Sequence, residues 1–165
     1  MELPDTSEGA ALESRLTNAP FETINWHDTY VHGLAFEPEE AYAGKLLLDV
    51  DYIARWIQPV EPGTPFTFIL IPSTVVFDQS RDMTLAVDFQ RSVYEVRLDG
   101  IDRSPHSAAD GTQSSYFSRH AYGDGFDLKL LAVGFRLVPR DAPILSERQW
   151  LTKAERGGVR FAQSA

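Results

Sequence analysis

Lys45-Leu46-Leu47-Leu48-Asp49-Val50-Asp51-Tyr52 decides the fold. In an extended chain, successive side chains point to opposite faces. Leu46, Leu48, Val50 and Tyr52 then share one side, and Leu47, Asp49 and Asp51 the other. The stretch reads as a half-buried strand with a polar outer face turned to water.

The same two-residue beat runs outward in both directions. Upstream, Tyr30 to Phe36 puts Tyr30, Leu34 and Phe36 on one face, with His32 among them. Downstream, three prolines and a glycine between Gln58 and Pro65 make a loop. Phe66 to Ile71 is apolar on both faces, as in a central strand. Pro72 cannot donate to a ladder and marks a bulge or strand end, after which Thr74 to Phe77 resumes. Met83, Leu85, Val87 and Phe89 alternate with polar or small residues, and Val93 to Leu98 follows closely enough to form a hairpin with them.

Arg103 to Ser114 reads as a polar surface loop. Tyr116–Tyr122 and Phe126–Val138 form a second hairpin turning at Gly123-Asp124-Gly125, with Gly134 marking a bend in the longer arm. A capping box at Ser146-Glu147-Arg148-Gln149 starts a short helix to about Glu155, which Gly157-Gly158 ends. Val159 to Ala162 then returns to the sheet. The sum is a mainly β fold: an antiparallel meander of about eight strands, closed as a barrel or folded into a two-layer sandwich, with one short C-terminal helix.

The chain has 165 residues, enough for one domain. Residues 1–20 read as an acidic, poorly ordered tail with at most one helical turn between Ala10 and Leu16, and residues 21–165 as a single β-rich domain. Without cysteine, a disulfide framework, a thiolate zinc site and a cysteine nucleophile are excluded. No apolar run approaches the roughly 20 residues of a membrane span, and the acidic N-terminus does not suit a signal peptide, so the expected compartment is cytoplasmic. The net charge of −9 is lopsided: residues 1–40 hold nine acids and one base (−8), and residues 41–165 fifteen acids and fourteen bases (−1). A nearly neutral body lacks the basic stripe that nucleic-acid binding needs. The acidic quarter suits a basic protein partner instead.

The densest polar constellation is Asn25-Trp26-His27-Asp28 with His32. On a strand, Asp28, Tyr30 and His32 share a face while His27 points away. Asp28 and His32 then lie roughly 13 Å apart, too far to share a metal unless another strand supplies ligands. Asp28 reads as a cap on the turn into the strand. Asp49 and Asp51, with α-carbons roughly 6.7 Å apart, are paired carboxylates able to bind a hard cation or do acid–base work, although period-two acids are ordinary on a solvated sheet face. His120 completes the candidates, since a cross-strand cluster of His32, His120 and a carboxylate is conceivable. The nucleophile elbow, the HExxH helix and the phosphate-binding glycine loops are all missing from the sequence.

Asn25-Trp26-His27-Asp28, the Leu46–Tyr52 strand, Ile71-Pro72-Ser73-Thr74-Val75-Val76-Phe77 and Glu155-Arg156-Gly157-Gly158-Val159 together resemble a poorly characterised family of small single-domain bacterial proteins, a domain of unknown function. That resemblance implies no activity and carries over no functional residues. Small acidic β-rich bacterial domains of this appearance also resemble immunity proteins, which neutralise a toxin by binding it.

The expectation is therefore a non-catalytic protein-binding domain, in its most concrete form an immunity-like inhibitor, with no catalytic residues, metal or cofactor. It is expected to leave membranes and nucleic acids alone, and an uncovered sheet edge admits a homo-oligomer. The alternative is a small-ligand-binding β-barrel or a hydrolase using the His/Asp cluster. That alternative requires two of His32, His120 and Asp49 to converge in a concave pocket.

Overall fold

A computed structural model describes residues 6–39, 43–89 and 95–162. Eight antiparallel strands form one sheet: β1 (Thr29–Pro38), β2 (Gly44–Ile57), β3 (Thr67–Val87), β4 (Val96–Ser107), β5 (Gln113–Asp124), β6 (Phe126–Ala132), β7 (Gly134–Pro139) and β8 (Ile144–Ser146). The pairings close on themselves in the order β1–β2–β3–β6–β5–β4–β1. Strand β3 is the spine. One of its edges carries β2, and the other carries β6, β7 and β8 end to end.

The predicted parity of β2 holds. Leu46, Leu48, Val50 and Tyr52 face the interior with Val75 and Phe77 of β3, Leu98 and Ile101 of β4, Ala121 of β5 and Leu128 and Leu130 of β6. Burying each of the larger of these side chains is worth about 1.5–3 kcal/mol. The hairpin turning at Gly123–Gly125 also forms, with Tyr122 opposite Asp127 and Gly125 at φ 71° in the turn. The bend expected at Gly134 falls one residue earlier, where β6 gives way to β7 at Val133.

Several local expectations are corrected. Among the described residues, the two arms predicted from Met83–Phe89 and Val93–Leu98 do not pair: β3 spends this stretch against β6, while β4 lies between β1 and β5. Residues 90–94, the predicted turn and the first two residues of the predicted second arm, lie outside the described residues. Pro72 sits inside β3 rather than at its end. Its carbonyl accepts from Arg140 N at 2.8 Å, so its nitrogen faces the same edge, in the gap between β7 and β8 where no ladder donor is required. The Arg103–Ser114 loop shrinks because β4 runs on to Ser107, with Pro105 opposite Phe117.

The helices differ too. A twelve-residue helix, α1 (Thr6–Thr17), replaces the single expected turn, and it sets Leu12 against Ile69 and Ile71. The short C-terminal helix, α2 (Lys153–Arg156), starts later than predicted because its capping box is Thr152 with Glu155. The Ser146 hydroxyl instead accepts from the amide of Arg148. Gly157, at φ 69°, ends α2 in the left-handed conformation that glycine accommodates at least cost. Beyond it, Val159 to Ala162 does not rejoin the sheet by strand pairing. It lies as a strap over the outer face of β1–β3, with Phe161 against Leu47, Val76 and Val138. Among the described residues no helix is long and apolar enough to cross a membrane.

Candidate functional site

Asp49 and Asp51 point outward from β2, as their parity requires, but they do not meet water. The strap covers both, and each is completely buried. Arg156, at the end of α2, forks between them: Nη2 and Nη1 donate to Asp49 Oδ1 and Oδ2 at 2.7 and 2.8 Å, and Nε donates to Asp51 Oδ1 at 3.0 Å. Backbone amides complete the shell, Arg160 N donating to Asp49 at 3.0 Å and Leu151 N to Asp51 at 2.7 Å. Arg140 adds a second guanidinium 3.5 Å from Asp49. The solvated face predicted for this strand is thus a closed ionic lock, because residues about a hundred positions later fold back over it.

His32 joins the lock through a β-bulge. An extra residue between Val31 and Gly33 shifts the β1 register on β2, and one added residue inverts the beat. His32 therefore does not share the inward face of Leu34. Its Nε2 lies 2.7 Å from Asp51 Oδ2, and its ring is the part of the lock nearest solvent. Burial pushes the Asp51 carboxyl up, but the hydrogen bonds from His32 and the Leu151 amide, with the charge of Arg156, more than offset that and hold it below its ordinary range. Arg156 is raised: burial disfavours its charge, and the two aspartates outweigh that effect.

The second cluster surrounds Asp28. This residue turns the chain into β1 at φ 60°, a conformation that Asp tolerates better than most residues, and the turn closes through Thr29 N to Trp26 O. Strand β4 supplies the partner that β1 alone lacked. His27, Asp28 and Asp99 each offer a ligand atom, all within 4.8 Å of one another, a grouping that could hold a divalent cation. Arg97 already stands 3.4 Å from Asp28 Oδ1, and Gln149 donates to Asp28 Oδ2 at 3.0 Å. These partners serve the carboxylate without an ion. Tyr30 borders the cluster, its hydroxyl held above its ordinary value by burial and by Glu95, with Arg97 opposing.

His120 stands apart from both clusters. It projects from the outer face of β5, with Nε2 2.8 Å from Asp127 Oδ2, and Lys129 reaches the same carboxylate at 3.4 Å. Strand β4 lies between β5 and β1, so His32 and His120 serve different carboxylates on different parts of the surface.

Two functional-looking arginines escape a reading based on histidines and acids. Arg156 gives no local sign of its role, since its partners are more than a hundred residues away. Arg119 does give one: it shares the inward parity of Phe117 and Ala121. It is 3 % exposed, its Nε and Nη1 have no hydrogen-bond partner among the described residues, and its guanidinium lies 4.7 Å from the centre of the Phe21 ring. Burial, and then the nearby charge of Arg103, lower its pKa to about 10. No family model, curated protein or solved structure matches the chain, so its function has to be argued from this geometry.

Proposed function

We propose that the protein is a non-catalytic binding domain of bacterial type that docks a basic, extended segment of another protein along the distal half of β3. The observation carrying this reading is the open edge there. Pairing with β2 ends where Gly44 meets Ser80, while β3 continues to Val87 with β6 on its other side only. Among the described residues no strand covers the free edge of Arg81–Val87, and Leu85 and Val87 are 43 and 40 % exposed. Unpaired backbone groups flanked by exposed apolar side chains form a template for an added strand.

The choice of a basic occupant rests on the sign of the chain's net charge, −9. A depression of about 380 Å³ at the end of β3, on its β6 side, is lined by Asp88, Asp99 and Asp127. The acidic N-terminal quarter contributes less to steering than its count suggests, because Glu22, Asp28 and Glu39 are paired to Arg103, Arg97 and Lys45 of the body. An immunity-like inhibitor that works by occupying its partner is the most concrete form of this reading. The hydrolase alternative loses its motivation: His32 and His120 do not converge, and Asp49 is committed to Arg156.

The test places a photo-crosslinking residue at Ala86 in the producing cell, with the exposed Val60 as control position. A discrete adduct with one protein, lost in Leu85→Lys/Val87→Lys and weakened by salt during capture, is expected. No adduct beyond that of the control position, or one indifferent to the double substitution, would refute docking at this edge.

A further inference from the structure

Arg103 and Arg119 are directly opposite one another on β4 and β5, and Arg119 faces the interior. Like charges placed opposite across a ladder are destabilising, and a buried cation without a carboxylate costs more still. Aromatic faces supply part of the compensation. Arg119 stacks on Phe21, Phe117 and Phe135 at 4.7–5.9 Å, and Arg103 on Phe117 and Phe21 at 4.8 and 5.4 Å. Cation–π contacts leave the in-plane N–H donors unanswered. One acid answers on one side only: Glu22 accepts from Arg103 Nη2, and Arg119 Nε and Nη1 keep no partner among the described residues.

The segment bringing Glu22 is lightly held. The Phe21–Thr23 turn is a single 3-10 turn with none of its residues buried and no side-chain cap at its start. It is fixed by the Phe21 ring and the Glu22–Arg103 pair, between the anchored Leu12 and Ile24.

We infer that Arg103 and Arg119 form a binding site for a small oxyanion, a carboxylate or a phosphate, and that Glu22 is its built-in competitor. An incoming oxyanion takes a donor of Arg119 that has no partner among the described residues, Nε or Nη1, spans to Arg103 and displaces Glu22, and the Phe21 turn lifts to admit it. A planar guanidinium pair suits such a group because each arginine can offer two parallel donors. This inference is independent of docking at the β3 edge, which lies on another strand and uses neither Arg103 nor Arg119.

The test uses the full chain at constant ionic strength, with inorganic phosphate or acetate replacing chloride. Melting temperature and the indole N–H signal of Trp26, whose ring centre lies 6.4 Å from that of Phe21, are followed together. A saturable rise in melting temperature with a shifted Trp26 signal is expected for at least one anion, and the two arms tell carboxylate from phosphate. Glu22→Gln removes the competitor and should tighten binding about tenfold, roughly one charge-assisted hydrogen bond. Arg119→Met should abolish the response. If that variant does not fold, Arg119→Lys keeps the charge, loses the fork and should weaken binding at least about tenfold. Equal behaviour in chloride, phosphate and acetate for both the wild type and Glu22→Gln would overturn the inference. So would an undiminished response in a folded Arg119 variant.

Discussion

Arg156→Met isolates the ionic lock. The substitution keeps an unbranched side chain of similar length and removes the donors that now reach Asp49 Oδ1 and Oδ2, Asp51 Oδ1 and Gly158 O. Removing one partner from a buried ion pair costs about 3–5 kcal/mol, because the remaining charge stays desolvated. Here each aspartate keeps other support: Arg140 and the Arg160 amide for Asp49, His32 and the Leu151 amide for Asp51. The expected loss is therefore near the lower bound, about 3 kcal/mol, or a fall in melting temperature of roughly 6–12 °C for a chain of this size. Urea unfolding at neutral pH should show a lower midpoint with an unchanged slope, since the surface exposed on unfolding hardly changes. Combining Arg156→Met with Asp51→Asn should cost less than the sum of the two single changes, because the shared interaction is lost only once. A loss below about 1 kcal/mol, the range of exposed ion pairs, would show that water reaches the aspartates and that the strap is no cover.

Two further outcomes probe the same region. The Asp51 carboxyl titrates below its unfolded value, so its stabilisation is complete above the ordinary carboxylate pKa of about 3.9 and is lost as pH falls through the folded value. Urea midpoints of the wild type should drop as pH is lowered below about 4, and Asp51→Asn should show a shallower drop; parallel curves would contradict this assignment. Gly33→Ala places a β-carbon 2.4 Å from Val159 Cγ1 of the strap, an overpacking worth about 1–3 kcal/mol. Adding Val159→Ala, which removes the clashing methyl, should restore most of the melting temperature, whereas no restoration would place the strap elsewhere.

What the sequence disclosed, and what it hid, follows from the range of the forces involved. The beat of Leu46, Leu48, Val50 and Tyr52 is local, because alternation is imposed by the strand itself, and it correctly marks the inner wall. The fate of the other face is non-local. Asp49 and Asp51 have the pattern of solvated acids and would be solvated if the chain ended near Gln149. Only the return of Leu151, Arg156 and Phe161 buries them, and strand periodicity says nothing about which later segment lies on top. Pairing choice is non-local for the same reason: Met83–Phe89 and Val93–Leu98 are adjacent in sequence, yet β3 takes β6 and β4 takes β1 and β5. The bulge at His32 is hidden more simply, since one extra residue leaves no mark on composition but moves His32 to the other face.

The polar groups of this fold can be ranked by what they lack rather than by residue type. Histidines and paired acids draw attention first, but His32, Asp49 and Asp51 belong to a lock whose main acceptors are satisfied by side chains and backbone amides, and such a group gains little from a ligand. His120 and Asp127 satisfy one another on an open surface where water competes for both. Arg119 is the opposite case: buried, opposed by another cation and short of acceptors. Aromatic faces offset part of its cost in the free protein, so a bound oxyanion gains both its own contacts and relief of the part that remains. On that ground the pair of buried Arg119 and exposed Arg103, rather than the acids on the strand that decided the fold, is where chemistry with a small molecule is concentrated.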